Sequence, residues 1–196
     1  NPGGAQNGIG WTTTIVSKHE RHAVFDREGA SGVWLADLDD DGDLDIVNAA
    51  SDDVNVQVAW FENPGGPGAV DPTSAWEQHR IGSLRGAAAV DVADLTGDGR
   101  LGVVAGSRAQ QQVMLFVQPS TGPSRSYDWF SAPIITFDGL EPIDLRALDV
   151  DRDGVLKIVA TCTEGAVRYF EPTPVPVNPW TPVIVTSFAS GGEVGL

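Results

Sequence analysis

The feature that most constrains the fold is an internal repeat of an acidic loop. Its three copies share one pattern of aspartates followed by a glycine, and an apolar, β-branched run stands on either side of each copy. The copies span residues 36–47, 93–104 and 148–159, and their first aspartates lie 57 and 55 residues apart. Repetition on this scale is typical of architectures in which a unit buries its apolar face only against a neighbouring unit.

Each repeat contains four short strand-like segments. In the first repeat they are residues 32–38, 44–50, 56–62 and 76–81, which are rich in Val, Ile and aromatic residues and are bounded by Gly, Pro, Asn and Asp. No segment has the periodicity of a long amphipathic helix. Four short strands in a repeat of about 40–50 residues match the strand number and length of one β-propeller blade. The sequence therefore predicts an all-β fold built of four-stranded antiparallel blades.

Tryptophans and aromatic turns recur in step with the acidic loops and set the predicted blade boundaries. Four short strand-like runs each open on a tryptophan: Trp11, Trp76, Trp129 and Trp180. The resulting division is an orphan strand at 11–16, three full blades at 33–81, 87–135 and 143–185, and a partial blade at 192–196. Propellers usually close with about 4–8 blades. We therefore expect this segment to be part of a larger propeller, which is the favoured interpretation, or to assemble with further copies.

The charge balance limits the classes of partner. Twelve basic and 27 acidic residues give a formal net charge of -15, which disfavours nucleic acid and anionic lipid and favours cations. No apolar run approaches the roughly 18 residues that a membrane span needs, so membrane insertion is not predicted. Cys162 lies in an apolar run and is predicted to be a small buried residue. A chain with one cysteine is compatible with secretion.

The first acidic loop has the pattern that a calcium ion requires. Carboxylates fall at positions one, three, five and nine, a glycine at position six permits a sharp turn, and a backbone carbonyl at position seven adds an oxygen. In chain order these residues are Asp37, Asp39, Asp41, Gly42, Asp43 and Asp45. Calcium accepts about six to eight oxygens in irregular geometry, and carboxylates this close repel one another without a cation. The loop resembles the start of an EF-hand but lacks its glutamate at position twelve and its flanking helices.

The second and third loops keep only part of that pattern. The second has Gly102 at position nine and a hydroxyl at position three, so a plain turn is the favoured interpretation. The third has Lys157 at position nine, and its ammonium could swing into the site in place of a metal. The candidate calcium ligands in these two loops are Asp94, Thr96, Asp98, Asp149, Asp151 and Asp153.

Together these motifs resemble the FG-GAP repeats of integrin-α-like propellers. The aromatic turn at residues 58–66 and the run from Trp76 through His79 to Ile81 are most similar to the bacterial and fungal VCBS subgroup. The resemblance implies that calcium stiffens the loop between the innermost strand of a blade and the next strand. It also implies protein or glycan ligands and an extracellular or cell-surface location. We therefore expect a calcium-binding recognition or adhesion scaffold rather than an enzyme.

Two alternatives remain open at this stage. Some secreted polysaccharide lyases and sugar dehydratases resemble this repeat, and such an enzyme needs His, Arg, Tyr and acidic groups converging on one face. The sequence offers one such group in a long insertion, formed by His19, Arg21, His22 and Arg27, but its spacing assigns no catalytic residue. The other alternative is a passive structural module of a surface protein or fibre, with calcium-dependent stability and no ligand.

Overall fold

The computed structural model describes residues 30–51, 58–65, 76–123, 129–174 and 179–187. The predicted orphan strand and partial blade lie outside these residues. Apart from a single 3₁₀ turn, the regular structure within them is β-strand. No helix in the described segments has the length and apolar content that crossing a membrane requires.

The strands form three four-stranded antiparallel sheets, each following chain order. The first sheet contains β1 (Ala30–Ala36), β2 (Asp45–Ala50), β3 (Val58–Glu62) and β4 (Glu77–Gly82). The second contains β5 (Ala87–Ala93), β6 (Gly102–Ser107), β7 (Gln112–Val117) and β8 (Phe130–Thr136). The third contains β9 (Pro142–Leu148), β10 (Lys157–Cys162), β11 (Ala166–Glu171) and β12 (Thr181–Ser187). The predicted all-β fold of four-stranded antiparallel units is confirmed.

The sheets stack on one another through their first strands. β1 contacts β5, and β5 contacts β9, so the first strand of each sheet lies innermost. One apolar core lies between the first and second sheets and includes Val47, Trp60 and Phe116. A second core lies between the second and third sheets and includes Leu115 and Ile158. This arrangement is consistent with neighbouring blades of a propeller.

Burial along the strands follows from that stacking. In the second sheet, which has a neighbour on each side, every residue of β6 is buried. In β1 the burial alternates, because side chains of a strand point to opposite faces. Trp34 and Ala36 pack partly into the first core, whereas Val33 and Leu35 are exposed on the other face.

The recurring tryptophans connect the outermost strands of neighbouring sheets. The backbone N–H of Trp129 donates to the carbonyl of Ile81 at 2.9 Å, and that of Trp180 donates to the carbonyl of Ile134 at 2.7 Å. Both indoles are buried. These two tryptophans therefore belong to the packing of the sheets. Trp11 lies outside the described residues.

His79 also has a structural role. Its ring is buried and lies 4.6 Å from the ring of Trp60, and its Nε2 is 2.8 Å from Oε2 of Glu62. Cys162 is a buried free thiol, as predicted, and burial raises its pKa. These contacts place both residues in the packing of the sheets.

Candidate metal centre

The three acidic loops occupy equivalent places and share one backbone geometry. Each joins the first strand of a sheet to the second. Position four of each loop has a left-handed backbone, with φ of 61° at Asp40, 70° at Gly97 and 64° at Arg152. Position six is left-handed as well and is always glycine, for example Gly42 at 94°. The φ of 85–94° at position six lies beyond the 61–64° that Asp40 and Arg152 adopt at position four, and only glycine reaches it without a steric cost, which explains the glycine in every copy.

The first aspartate of each loop organises this turn. Oδ1 of Asp37 accepts the N–H of Asp41 at 3.1 Å, and its Oδ2 accepts the N–H of Gly42 at 3.0 Å. Asp94 and Asp149 accept the same pair of N–H groups in the second and third loops. Such side-chain-to-backbone bonds are the usual way in which aspartate stabilises a turn. The repeat pattern therefore encodes the same curled loop three times.

In the first loop, three predicted ligands come together. Asp37, Asp39 and Asp45 each bring one carboxylate oxygen within 4.8 Å of the others. Asp41 is outside this group, and its Oδ1 accepts the N–H of Asp43 at 2.9 Å. Three convergent carboxylates, all with hard oxygen donors, have the chemistry that calcium prefers. The donor set thus fits the predicted ion.

Asp45 is the buried member of the group. It begins β2 and is 1 % exposed. Its Oδ2 accepts the N–H of Leu38 at 3.0 Å, and its Oδ1 accepts the N–H of Asn63 at 2.9 Å. These two bonds tie the carboxylate to both the loop and the turn after β3, so its position is fixed by the sheet.

Burial raises the pKa of Asp45 from 3.8 to about 6, against the lowering effect of its two backbone hydrogen bonds. The charges of Asp39 and Asp41 raise this pKa further. Burial and the neighbouring carboxylates thus both disfavour the ionised form of Asp45, and a positive charge at the site would favour it. A bound cation would supply that charge.

Asp45 should make the metal-free protein more stable in mild acid. Because its folded pKa of about 6 lies above the value of 3.8 for a free side chain, its contribution is fully present below pH 3.8 and is lost as the pH rises through 6. Relative to Asp45→Asn, the wild type in chelator should gain up to about 3 kcal/mol between pH 7 and pH 4. Thermal unfolding of both proteins across this range measures the difference. The exposed Asp138→Asn is the matched control and should run parallel to the wild type; an equal pH dependence in Asp45→Asn would contradict the assignment.

In the second loop the carboxylates of Asp94 and Asp98 interact with groups of the loop itself. Oδ1 of Asp94 accepts the N–H of Gly97 at 2.8 Å and lies 3.5 Å from Oγ1 of Thr96. The guanidinium of Arg100 pairs with the carboxylate of Asp98. With glycine at position nine, no buried carboxylate stands opposite them. The arrangement is that of a closed turn with fewer oxygens for a metal.

In the third loop a lysine occupies the place of a cation. One carboxylate oxygen from each of Asp149, Asp151 and Asp153 lies within 4.8 Å of the others. Nζ of Lys157 lies 2.6 Å from Oδ1 of Asp151 and 3.0 Å from Oδ1 of Asp153. It also lies 3.4 Å from the carbonyl oxygen of Val155. The ammonium has thus swung into the loop.

The directions in which the pKa values of Lys157 and Asp153 shift agree with this contact. The hydrogen bond to Asp151 raises the pKa of Lys157 above its usual value. The N–H of Val155 and then the ammonium of Lys157 lower the pKa of Asp153. Each charge therefore stabilises the other, and Lys157 remains 3 % exposed as it does so. The loop carries a positive charge without any metal.

Two polar residues outside the acidic motif support the first loop. The buried Nε2 of Gln118, which directly follows β7 of the second sheet, donates to the carbonyl of Leu38 at 2.7 Å. Nδ2 of Asn63 donates to the carbonyl of Leu44 at 3.1 Å. Sequence reasoning missed both. The available signal was that each residue directly follows an aromatic strand of its repeat.

The histidine–arginine group considered for catalysis falls outside the described residues. Among the described residues, the innermost strands bring together Trp34 and Arg146, whose guanidinium carbon lies 4.9 Å from the indole centroid. Nη1 of Arg146 also pairs with Oδ1 of Asp144 at 2.8 Å. This contact joins β1 to β9 and accounts for the half-buried state of Trp34.

Comparison with known families supports the interpretation of the first two acidic loops as parts of an FG-GAP-like repeat. Residues 37–105 match the family model described as FG-GAP-like repeat. The match begins at the first aspartate of the first loop and ends within β6, so it includes the first and second loops. A search of curated proteins gave no match. Residues 37–105 therefore carry an FG-GAP-like repeat, within an all-β fold of stacked, blade-like sheets.

Proposed function

We propose that this protein is a calcium-stabilised recognition scaffold whose principal metal site is the first loop. The observation that carries the proposal is the convergence of Asp37 and Asp39 on the buried carboxylate of Asp45. Backbone hydrogen bonds hold Asp45 in place before any ion binds, so little ordering of this ligand opposes binding. Calcium would supply positive charge to this group and cross-link the loop to the start of β2.

The structural effect of the ion follows from what the loop touches. Leu38, between the ligands Asp37 and Asp39, accepts a hydrogen bond from Gln118 of the second sheet. Asn63 links the buried ligand Asp45 to the end of β3. An ion in the first loop would thus stiffen both the first sheet and its junction with the second.

Isothermal titration with calcium at neutral pH tests the proposal. We expect one strong site per chain, because the second loop has only two carboxylates and the third is occupied by Lys157. The double substitution Asp39→Asn with Asp41→Asn should abolish this site. The matched double substitution Asp151→Asn with Asp153→Asn, at the same positions of the third loop, should leave it intact. A wild type that takes up no calcium, or a site lost only with the third-loop pair, would contradict the proposal.

A gain of binding provides the complementary arm of the same experiment. Lys157→Asp gives the third loop a carboxylate at the position that Asp45 holds in the first. We expect the number of calcium ions bound per chain to rise from one to two. Lys157→Met removes the ammonium without adding a ligand and controls for the loss of the ion pair.

The recognition part of the proposal is supported by the resemblance to integrin-like and VCBS propellers, which bind proteins or glycans. We infer an extracellular or cell-surface protein, since a strongly acidic chain with calcium cross-links and a single buried cysteine suits that environment. Glycan arrays and protein-partner screens, run in calcium and in chelator, test this inference. Binding that appears in calcium and is lost in the Asp39→Asn, Asp41→Asn protein supports it, whereas no binding in either condition favours a passive module.

A further inference from the structure

Four aspartates of the chain directly precede a glycine, and such a pair can react within itself. The backbone nitrogen of the glycine can attack the side-chain carboxyl of the aspartate, because glycine has no Cβ to hinder the approach and its backbone is free to adopt the conformation that the attack needs. Which pair reacts in the folded protein depends on how the fold holds each one. The pairs are Asp41–Gly42, Asp98–Gly99, Asp138–Gly139 and Asp153–Gly154.

Exposure and available space do not distinguish the four pairs. All of their residues are exposed, and a Cβ placed on any of the four glycines would meet no atom within 4 Å. All four glycines also have a left-handed backbone, with φ between 77° at Gly139 and 94° at Gly42. A difference in reactivity in the folded chain must therefore come from the hydrogen bonds at each pair.

Three of the pairs occupy positions five and six of the acidic loops, where both reacting groups are held. The N–H of Gly42 donates to Oδ2 of Asp37 at 3.0 Å, and Oδ1 of Asp41 accepts the N–H of Asp43 at 2.9 Å. The second and third loops repeat both hydrogen bonds at distances of 2.8–3.0 Å. In these loops the nitrogen and the carboxyl must each give up a hydrogen bond before they can react.

The fourth pair, Asp138–Gly139, lies outside the acidic loops, in the connection between β8 and β9. Among the described residues, no hydrogen bond engages the carboxylate of Asp138 or the N–H of Gly139. The residues on either side are fixed, since Phe137 and Leu140 are 2 % and 7 % exposed and belong to the core between the second and third sheets. The pair is thus an exposed two-residue tip between two buried anchors.

We propose that Asp138 is the aspartate at which the folded chain spontaneously forms isoaspartate. The nitrogen of Gly139 attacks Cγ of the protonated carboxyl, so that an N–Cγ bond forms, a C–O bond breaks, and the hydroxyl leaves with the N–H proton as water. Water then opens the resulting five-membered imide. Where it adds to the main-chain carbonyl of Asp138, the chain afterwards runs through Cγ and is one carbon longer. Both steps need only water.

The additional carbon would fall at a junction between two sheets. The N–H of Phe137 donates to the carbonyl of Gln111 at 2.7 Å, and its ring meets that of Phe170 in the third sheet edge-on, with 5.5 Å between the ring centroids. On the other side of the tip, Leu140 is buried in the same core. Because the core is closely packed, a longer backbone between these anchors should disturb their contacts and lower the stability of the junction.

Peptide mapping of the whole chain, aged in mildly acidic buffer, tests the proposal. Labelling with an isoaspartyl methyltransferase locates each isoaspartate, since the product has the mass of the parent chain. Chelator in the buffer keeps the result independent of calcium binding. We expect isoaspartate to form at Asp138 about tenfold faster or more than at Asp41, Asp98 or Asp153, because hydrogen bonds must open before those pairs react. In guanidinium chloride, which unfolds the chain, the four pairs should react at similar rates.

Asp138→Glu is the matched variant, because it keeps the charge while the attack would have to close a six-membered ring. The variant should form no isoaspartate at this position, and after ageing it should melt at a higher temperature than wild type aged in parallel. Equal accumulation at the four pairs of the folded chain, or faster accumulation in the acidic loops, would overturn the proposal. So would a folded chain without isoaspartate at Asp138 over a time in which the unfolded chain reacts.

Discussion

Calcium at about a hundredfold excess over its dissociation constant is expected to raise the melting temperature by about 5–10 °C relative to chelator. A ligand that binds only the folded state at this excess adds about 2.7 kcal/mol to the free energy of unfolding. For a domain of about 150–250 residues, each kcal/mol corresponds to about 2–4 °C. The convergent carboxylates of Asp37, Asp39 and Asp45 are the groups that would hold the ion. Differential scanning calorimetry across a calcium titration measures the shift.

The calcium effect has two controls. The Asp39→Asn, Asp41→Asn protein should melt at the same temperature in calcium and in chelator. Magnesium should give a smaller shift, because it demands near-octahedral geometry and gives up its water reluctantly. A wild-type melting temperature that does not change with calcium would contradict the calcium site in the first loop and indicate a repeat protein that binds no metal.

Truncation of Trp60 to alanine is expected to destabilise the chain by about 3–5 kcal/mol, the range for large aromatic side chains in a core. Trp60 is 0 % exposed, lies opposite Val47 and His79 in the first sheet, and belongs to the core shared with the second sheet. The variant leaves a cavity at a junction between sheets, where neighbouring structure relaxes only in part. The melting temperature should fall by about 6–20 °C.

Two further substitutions show whether the loss comes from core volume. Trp60→Phe keeps an aromatic ring against His79 and should lose clearly less stability than Trp60→Ala. Phe130→Ala, at a residue 64 % exposed, should change the free energy of unfolding by no more than about 0.5 kcal/mol. Equal losses in Trp60→Ala and Phe130→Ala would mean that the first core does not hold the sheets together.

Local pattern was sufficient to predict the repeating units, because each loop and its two flanking strands are encoded within 21 consecutive residues, for example 30–50. In the first sheet the predicted and observed strand ends differ by at most two residues. The first strand was predicted at 32–38 but ends at Ala36, because the carboxylate of Asp37 accepts N–H groups of the loop and Leu38 turns into the core. Apolar periodicity alone cannot separate a buried loop leucine from the last residue of a strand.

The sequence patterns did not predict the contacts between sheets. Gln118 and Leu38 are 80 residues apart, and nothing in their local segments pairs them. Trp34 lies within a strand as Trp60 does, yet it is half-buried, and the contact that covers part of its indole comes from Arg146 of the third sheet. Such contacts depend on how the sheets stack, which a single repeat does not encode. The contact of Lys157 lies within a single loop, and it was predicted because charge and spacing together limited where its ammonium could go.

The lysine in the third loop has a consequence for how the molecule would come apart. A tethered ammonium cannot diffuse away, so the third loop keeps its positive charge when free calcium falls, whereas an ion in the first loop is in exchange with its surroundings. In repeat proteins each unit is stabilised mainly by its immediate neighbours. Depletion of free calcium would then destabilise the first sheet while the third sheet stayed folded, so that proteases would cleave the chain in the first sheet. The extent of this local unfolding would depend on the calcium concentration of the surroundings.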